Sequence, residues 1–203
     1  MKPNLLFTHY PFISGERVTL NRITELDLKS LWDIMSDDDN YRYTPTGAIQ
    51  NKNSLQLFYQ RIDSLFMEKK RIVLGIYPVQ NPSKLVGILE LSNLNRRASK
   101  IEFSIMLNRD YSGRGLAQSA VQAMQKYLFE TVLINRIEIY AMPINIRCKR
   151  LLSRCDFVKE GTIREGFYWP DKGIVDLDLY AALASDYAQA QRDRASSSRH
   201  VLF

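Results

Sequence analysis

The chain of 203 residues is 45% hydrophobic and 25% charged, the balance of a folded globular protein of about one domain. Its formal charge of +6 indicates either a solvated basic surface or an anionic ligand, and because the basic residues are scattered we expect no nucleic-acid partner. There are two cysteines, and the two histidines, His9 and His200, lie near the ends. This composition argues against a disulfide framework, a metal site and a central catalytic histidine.

The N-terminal residues lack the sustained apolar run of a signal peptide. No segment approaches the roughly 18 consecutive apolar residues of a membrane span. We therefore expect a cytoplasmic protein without a membrane partner.

Hydrophobic periodicity divides the chain into elements. Seven segments have the alternating or short apolar pattern of strands: 16–20, 71–77, 84–91, 100–107, 136–142, 157–167 and 174–181. Four segments have apolar residues at helical spacing: 28–35, 54–69, 115–130 and 146–154. Thr24 and Asp27 resemble a capping box before the first helix. The order predicts a mixed α/β sheet with antiparallel flanks in a domain of residues 16–184, between an N-terminal extension (1–15) and a polar, mobile C-terminal tail (185–203).

The segment Ser112 to Ala117 connects the strand that ends at Leu107 to the helix that follows. Its two glycines, Gly113 and Gly115, allow the backbone to approach a ligand, and a helix N-terminus offers unpaired N–H groups. Such a loop binds phosphate, although two glycines can also serve a plain strand-to-helix turn. The dinucleotide fingerprint fails because Gln118 fills its third small position, and no Gly-Lys-Ser/Thr follows as in a P-loop.

The same loop resembles the pyrophosphate-binding signature Q/R-x-x-G-x-G/A of the GNAT acetyltransferase superfamily, with Ser112 in place of Gln or Arg. A second block, from Asn145 to Gly161, resembles the N-x-x-S…L…G-F-x-x-E-G pattern of that superfamily. The resemblance extends from about Arg17 to Leu183. It is nearest to the branch that acetylates the N-termini of ribosomal proteins, and spermidine acetyltransferases are relatives of that branch.

The resemblance implies the GNAT fold, an α/β (α+β) domain with a mixed, mostly antiparallel seven-stranded sheet flanked by about four helices. It also implies acetyl-CoA as cosubstrate. The main chain of Ile105, Met106 and Leu107 would bond the pantetheine arm and the thioester carbonyl. Arg114 would either contact the pyrophosphate or remain solvated. The complete set of implied cofactor-binding residues is Ile105, Met106, Leu107, Ser112, Gly113, Arg114, Gly115, Leu116, Ala117, Gln118 and Asn145.

For catalysis, a carboxylate is the natural base because the chain has no central histidine. Glu102 is the first candidate, and Glu90 and Glu165 are alternatives, although Glu90 and Glu102 could equally be solvent-facing strand residues. Cys148 lies where several relatives carry Ser and would protonate the CoA thiolate, or it is a small core residue. Spermidine-type relatives carry a tyrosine acid where this chain has Leu152, which weakens a polyamine interpretation.

The acceptor site would be built from the first two helices and the final hairpin. Acidic and aromatic residues there could form its rim, or a solvated helix end: Asp37, Asp38, Asp39, Tyr41, Tyr43, Tyr168 and Trp169. The leading hypothesis is an N-acetyltransferase acting on a primary amine, foremost a protein N-terminus. The alternatives are a small-molecule acetyltransferase for polyamine, amino sugar or antibiotic, and a non-catalytic acyl-CoA-binding module. A homodimer remains open.

Overall fold

The computed structural model describes residues 3–170 and 172–200, in which eight strands form one sheet. The strands are β1 (Ile13–Ser14), β2 (Val18–Asn21), β3 (Arg71–Pro78), β4 (Gly87–Asn95), β5 (Lys100–Leu107), β6 (Arg136–Ala141), β7 (Val158–Trp169) and β8 (Gly173–Leu183). The helices are α1 (Leu28–Met35), α2 (Asp38–Tyr41), α3 (Lys52–Met67), α4 (Leu116–Lys126), α5 (Ile146–Arg154) and α6 (Ala184–His200), and α4 continues into a π-helical segment, Tyr127–Val132. None of the helices in the described residues is both long and apolar enough to span a bilayer.

The strands follow the order β1-β2-β3-β4-β5-β6-β8-β7, and every pair is antiparallel except β5 with β6. The prediction of a mixed, mostly antiparallel sheet is therefore confirmed. The structure adds one strand to the seven predicted, because Ile13 and Ser14 pair with β2. Two residues are too few to show a period, so the sequence pattern could not reveal β1.

Two helices also exceed the predicted four. The one-turn helix α2 is capped by Asp37, whose side chain accepts a hydrogen bond from the Asp39 amide. The tail that the sequence predicts to be mobile forms α6 up to residue 200, while residues 201–203 lie outside the described part. Tyr187 anchors α6 by donating a hydrogen bond to Glu130 at 2.8 Å and by ring contact with Phe129.

The sheet has an apolar core on each face because its central strands are buried on both sides. On one face lie α4, the π-helical segment and α5, packed on a cluster that includes Leu74, Leu89, Leu91, Ile101, Phe103 and Ile137. On the other face lie α1 and α3, packed on Val73, Tyr77, Leu85 and Ile88. The predicted capping box before α1 is confirmed: Thr24 donates to Asp27 from its amide and its hydroxyl, and Tyr77 also donates to that carboxylate at 2.9 Å.

The pairing of β5 with β6 stops halfway along both strands. Only three pairs form, ending at Glu102 opposite Glu138, although β5 continues to Leu107 and β6 to Ala141. Glu138 is buried at this end point and accepts hydrogen bonds from Lys100 Nζ at 2.8 Å and Arg136 Nε at 2.7 Å. A buried carboxylate bound by two cations therefore marks the place where the strands separate.

We expect this ion cluster to make the stability depend on pH. Burial by itself would raise the pKa of Glu138, but the hydrogen bonds from Lys100 and Arg136 outweigh it and lower that pKa below its usual 4.5. Such a carboxylate adds stability above its unfolded pKa and loses it as the pH falls through the folded value. Glu138→Gln should therefore lower the free energy of unfolding by about 2 kcal/mol at neutral pH, and its difference from the wild type should shrink below about pH 4.5.

Urea unfolding of both proteins at neutral and acidic pH measures this difference. The exposed Glu25 provides a control, since Glu25→Gln should change stability by less than about 0.5 kcal/mol at either pH. A difference for Glu138→Gln that stayed constant on acidification would contradict the assignment.

Candidate active site

The separation of β5 from β6 opens the sheet. Beyond Glu102, the edge of β5 that faces β6 has no strand partner within residues 3–170 and 172–200. The other edge of β5 remains paired with β4 as far as Leu107 opposite Gly87. Main-chain groups on the open edge therefore lack a ladder partner and can bond a ligand. The half-buried Ile105, Met106 and Leu107, predicted to hold the pantetheine arm, lie on this part of β5.

The glycine loop follows directly and is shaped by two left-handed residues. Gly113 has φ 77° and Gly115 has φ 75°, a conformation that costs other L-residues about 1–2 kcal/mol. The N–H groups of Gly113 and of Gly115 to Gln118 have no acceptor within the described chain, and Ser119 is the first residue of the helix to bond, to the Gly115 carbonyl at 3.0 Å. A row of free donors at the positive end of α4 is an anion site. The loop can thus hold a diphosphate without any side chain.

The cations on the loop itself already have partners. Arg114 donates to the Asp110 carbonyl at 2.9 Å and lies 5.1 Å from the centre of the Tyr111 ring. Arg109 forms an ion pair with Asp39 at 2.9 Å, which ties the loop to α2. Arg114 is exposed, as the sequence predicts, but its guanidinium is partly occupied by its own loop.

The start of α5 faces the same region. Asn145 is its N-cap and accepts a hydrogen bond from the Cys148 amide at 3.1 Å, so its two side-chain N–H donors remain for a ligand. Burial raises the pKa of the Cys148 thiol to about 11, so the group stays protonated at neutral pH. Leu152, at the position of the tyrosine of spermidine-type relatives, is buried in the core.

Of the predicted bases, Glu102 lies at the opening. It faces the same side of the sheet as Met106, which packs against the α1 and α3 cluster, and it stands beside Glu138 at the last β5–β6 pair. Its carboxylate accepts a hydrogen bond from Asn93 Nδ2 at 2.8 Å. Glu102 therefore lies on the face of the sheet that is covered by α1 and α3.

The two alternative bases have different surroundings. Glu90 faces the same side, because it pairs with Ser104, but it forms an ion pair with Arg71 at 3.2 Å. Burial raises the pKa of Glu90, and Arg71 offsets only part of that increase. Glu165 lies in a bulge of β7, and its amide bonds Asp176 at a point of the hairpin beyond the last β6–β8 pair. The structure thus brings Glu90 and Glu102 to one face and leaves Glu165 on the outer hairpin.

Several residues of the predicted acceptor rim are paired or buried in the structure. Asp39 is neutralised by Arg42 and Arg109, and Tyr41 is buried, with its pKa raised to about 12 by burial. A separate hydrophobic cluster forms around the buried Trp169, while the neighbouring Tyr168 is 70% exposed and lies outside it. Its members are Tyr43, Tyr140, Met142, Phe167, Trp169, Val175 and Leu177.

Sequence reasoning missed Glu138 and Tyr140, which flank the opening on β6. A signal for Glu138 was present, because a charged residue between Ile137 and Ile139 is unusual in a strand buried on both faces. Its two cationic partners come from positions 100 and 136, and only the folded sheet brings these together.

Comparisons with known proteins match the chain to a family and to solved structures of the same fold. Residues 17–158 match the family described as acetyltransferase (GNAT) domain. The uncharacterized N-acetyltransferase p20 of Bacillus licheniformis is 27% identical over 174 residues, 85% of this chain and 96% of that protein. The structure of spermidine N-acetyltransferase from Vibrio cholerae in complex with CoA and spermine has a TM-score of 0.73 at 20% identity, covering 86% of this chain and 99% of that one. The ribosomal L7/L12 alpha-N-protein acetyltransferase RimL has a TM-score of 0.74 at 15% identity, covering 86% and 94%.

The loop assignment predicts a loss of cofactor affinity on adding a carboxylate. We expect Gly115→Glu to raise the Kd for CoA by a factor of about 100 or more, because a negative side chain would stand among the free donors. Isothermal titration calorimetry measures the Kd. Gly173→Glu is the matched control, since Gly173 has a similar φ of 72° in the β7–β8 turn and should bear the same backbone strain without loss of binding. Equal affinities for the two variants would refute the assignment.

Proposed function

We propose that this chain, which belongs to the GNAT family of acetyl-CoA-dependent N-acetyltransferases, transfers the acetyl group to the primary amine of a protein N-terminus. The fold alone does not identify the acceptor, since a spermidine acetyltransferase and a ribosomal-protein acetyltransferase have nearly the same TM-score to this chain, 0.73 and 0.74. The support comes from the chemistry of the acceptor face.

The main observation is that three acidic side chains around the acceptor face are paired with cations, although Asp37 and Asp38 form no ion pair within the described residues. Glu90 binds Arg71, and Glu138 binds Lys100 and Arg136. Asp39 on α2 is bound by two arginines. A polyamine carries several positive charges and needs unpaired carboxylates, whereas a peptide N-terminus presents one amine. Because Asp39, Glu90 and Glu138 are neutralised, fewer carboxylates remain for a polycation beside the proposed base Glu102, which favours the peptide amine.

The substitution at Leu152 supports the same choice. The resemblance places the tyrosine acid of spermidine-type enzymes at this position, where the chain has an apolar side chain that is 1% exposed. An apolar residue supplies no proton to the CoA thiolate. The remaining candidate near the start of α5 is Cys148.

In the proposed reaction, Glu102 takes a proton from the ammonium group, directly or through one water, and frees the amine. The amine nitrogen then bonds the acetyl carbon, and free main-chain donors of β5 stabilise the oxyanion. The C–S bond breaks as the attacking nitrogen releases its second proton. The CoA thiolate takes a proton from Cys148 or from water, and the proton released by the nitrogen restores that donor. Because burial raises the pKa of Cys148 to about 11, donation to a thiolate of ordinary pKa near 8.5 is uphill, so Cys148 contributes less than Glu102.

The acceptor assignment predicts which amines become acetylated. After incubation with acetyl-CoA, mass spectrometry of ribosomal proteins should show one acetyl group at an N-terminal amine, and spermidine under the same conditions should remain unmodified. Acetyl-CoA hydrolysis without acceptor sets the baseline. Efficient acetylation of spermidine with unmodified proteins would establish the polyamine alternative.

The base assignment predicts an order among variants. Glu102→Gln should lower kcat by a factor of about 100 or more with an unchanged KM for acetyl-CoA, because a general base typically contributes 10²–10⁴-fold. Glu90→Gln is the matched control on the same face and should retain most activity. Cys148→Ala should fall between them. A larger loss for Glu90→Gln than for Glu102→Gln would transfer the role to Glu90.

A further inference from the structure

The turn between β1 and β2 packs closely against α4. A Cβ on Gly15 would lie 3.0 Å from Ala123 Cβ and 3.1 Å from Ser119 Oγ, so any other residue here would require its neighbours to shift by a few tenths of an ångström. The Arg17 amide donates to Ser119 Oγ at 2.9 Å, one helical turn from the glycine loop. The turn therefore has a fixed position against the first turns of α4.

This contact brings the Arg17 side chain to the glycine loop. The position of a Cβ on Gly115 lies 3.8 Å from Arg17 Nε and 4.0 Å from Cζ. The guanidinium forms an ion pair with Glu16 at 3.7 Å, which is too long for a hydrogen bond, and the two side chains are 60% and 81% exposed. The guanidinium N–H groups have no hydrogen-bond acceptor within the described residues. Arg17 thus presents free donors beside the free main-chain donors of the loop.

The other two cations near the loop have partners at 2.9 Å, whereas the guanidinium of Arg17 forms no hydrogen bond within the described residues. Arg109 is paired with Asp39, and Arg114 is bonded to the Asp110 carbonyl. Ser112 brings a hydroxyl but no charge. A diphosphate held by N–H groups alone would keep most of its negative charge, and a guanidinium can bind two phosphate oxygens at once.

We propose that Arg17 is a direct ligand of the acetyl-CoA diphosphate, supplied from outside the glycine loop. The side chain contacts phosphate oxygens while the N–H groups of Gly113 and of Gly115 to Gln118 bind the same group from the α4 side. Because Arg17 lies beside Gly115, at the centre of this row, the contact is to the diphosphate and not to the 3′-phosphate of the ribose.

Calorimetry with CoA and with 3′-dephospho-CoA tests this contact. Arg17→Ala should raise the Kd about tenfold for both ligands, and Arg17→Lys should recover part of the loss, since lysine keeps the charge but not the paired donors. The exposed Arg97, in the turn before β5 at the opposite end of that strand, provides the control Arg97→Ala, which should bind as the wild type does.

Kinetics separate binding from a structural role. Arg17→Ala should raise the KM for acetyl-CoA and leave kcat at saturating acetyl-CoA unchanged, and its melting temperature should match the wild type because the main-chain bond to Ser119 persists. An unchanged Kd for both ligands would overturn the proposal. So would a loss confined to CoA, which would place Arg17 on the 3′-phosphate.

Discussion

The end of the parallel pairing between β5 and β6 is the constraint on which the site depends. Up to Glu102 and Glu138 the two strands satisfy each other, and beyond that point the facing edge of β5 has no strand partner in the described residues. Buried main-chain groups without partners are costly, so an opening of this kind is stable only where a ligand or water can bond them. The ion cluster around Glu138 holds the strands together on one side of the opening, while the loop and α5 border the other.

The two faces of the sheet carry different polar groups beside the opening. On the α4 and α5 side, free N–H groups and a helix dipole favour a negative ligand. On the α1 and α3 side, Glu102 and paired acids suit an amine that must lose a proton. The opening connects the faces, so a thioester lying in it could meet its acceptor without crossing the sheet.

Local chemistry explains what could be predicted. Strand and helix periods appear within about ten residues, so all seven long strands and the four main helices follow from the pattern. The glycine loop is equally local, because Gly113 and Gly115 take left-handed conformations that the spacing itself indicates. The N-cap at Asn145 is equally local, because its side chain accepts a hydrogen bond from the Cys148 amide three residues further on.

The sequence by itself thus determined the order of elements and the left-handed glycines of the loop before α4, since both depend on neighbouring residues. The tertiary structure alone decided where β5 and β6 separate, which acids are neutralised and which cation reaches the loop. Arg17 and Ser119 are 102 positions apart and meet where the turn between β1 and β2, which contains Gly15, packs closely on α4. Contacts over such separations depend on packing of the whole sheet, which no local pattern encodes.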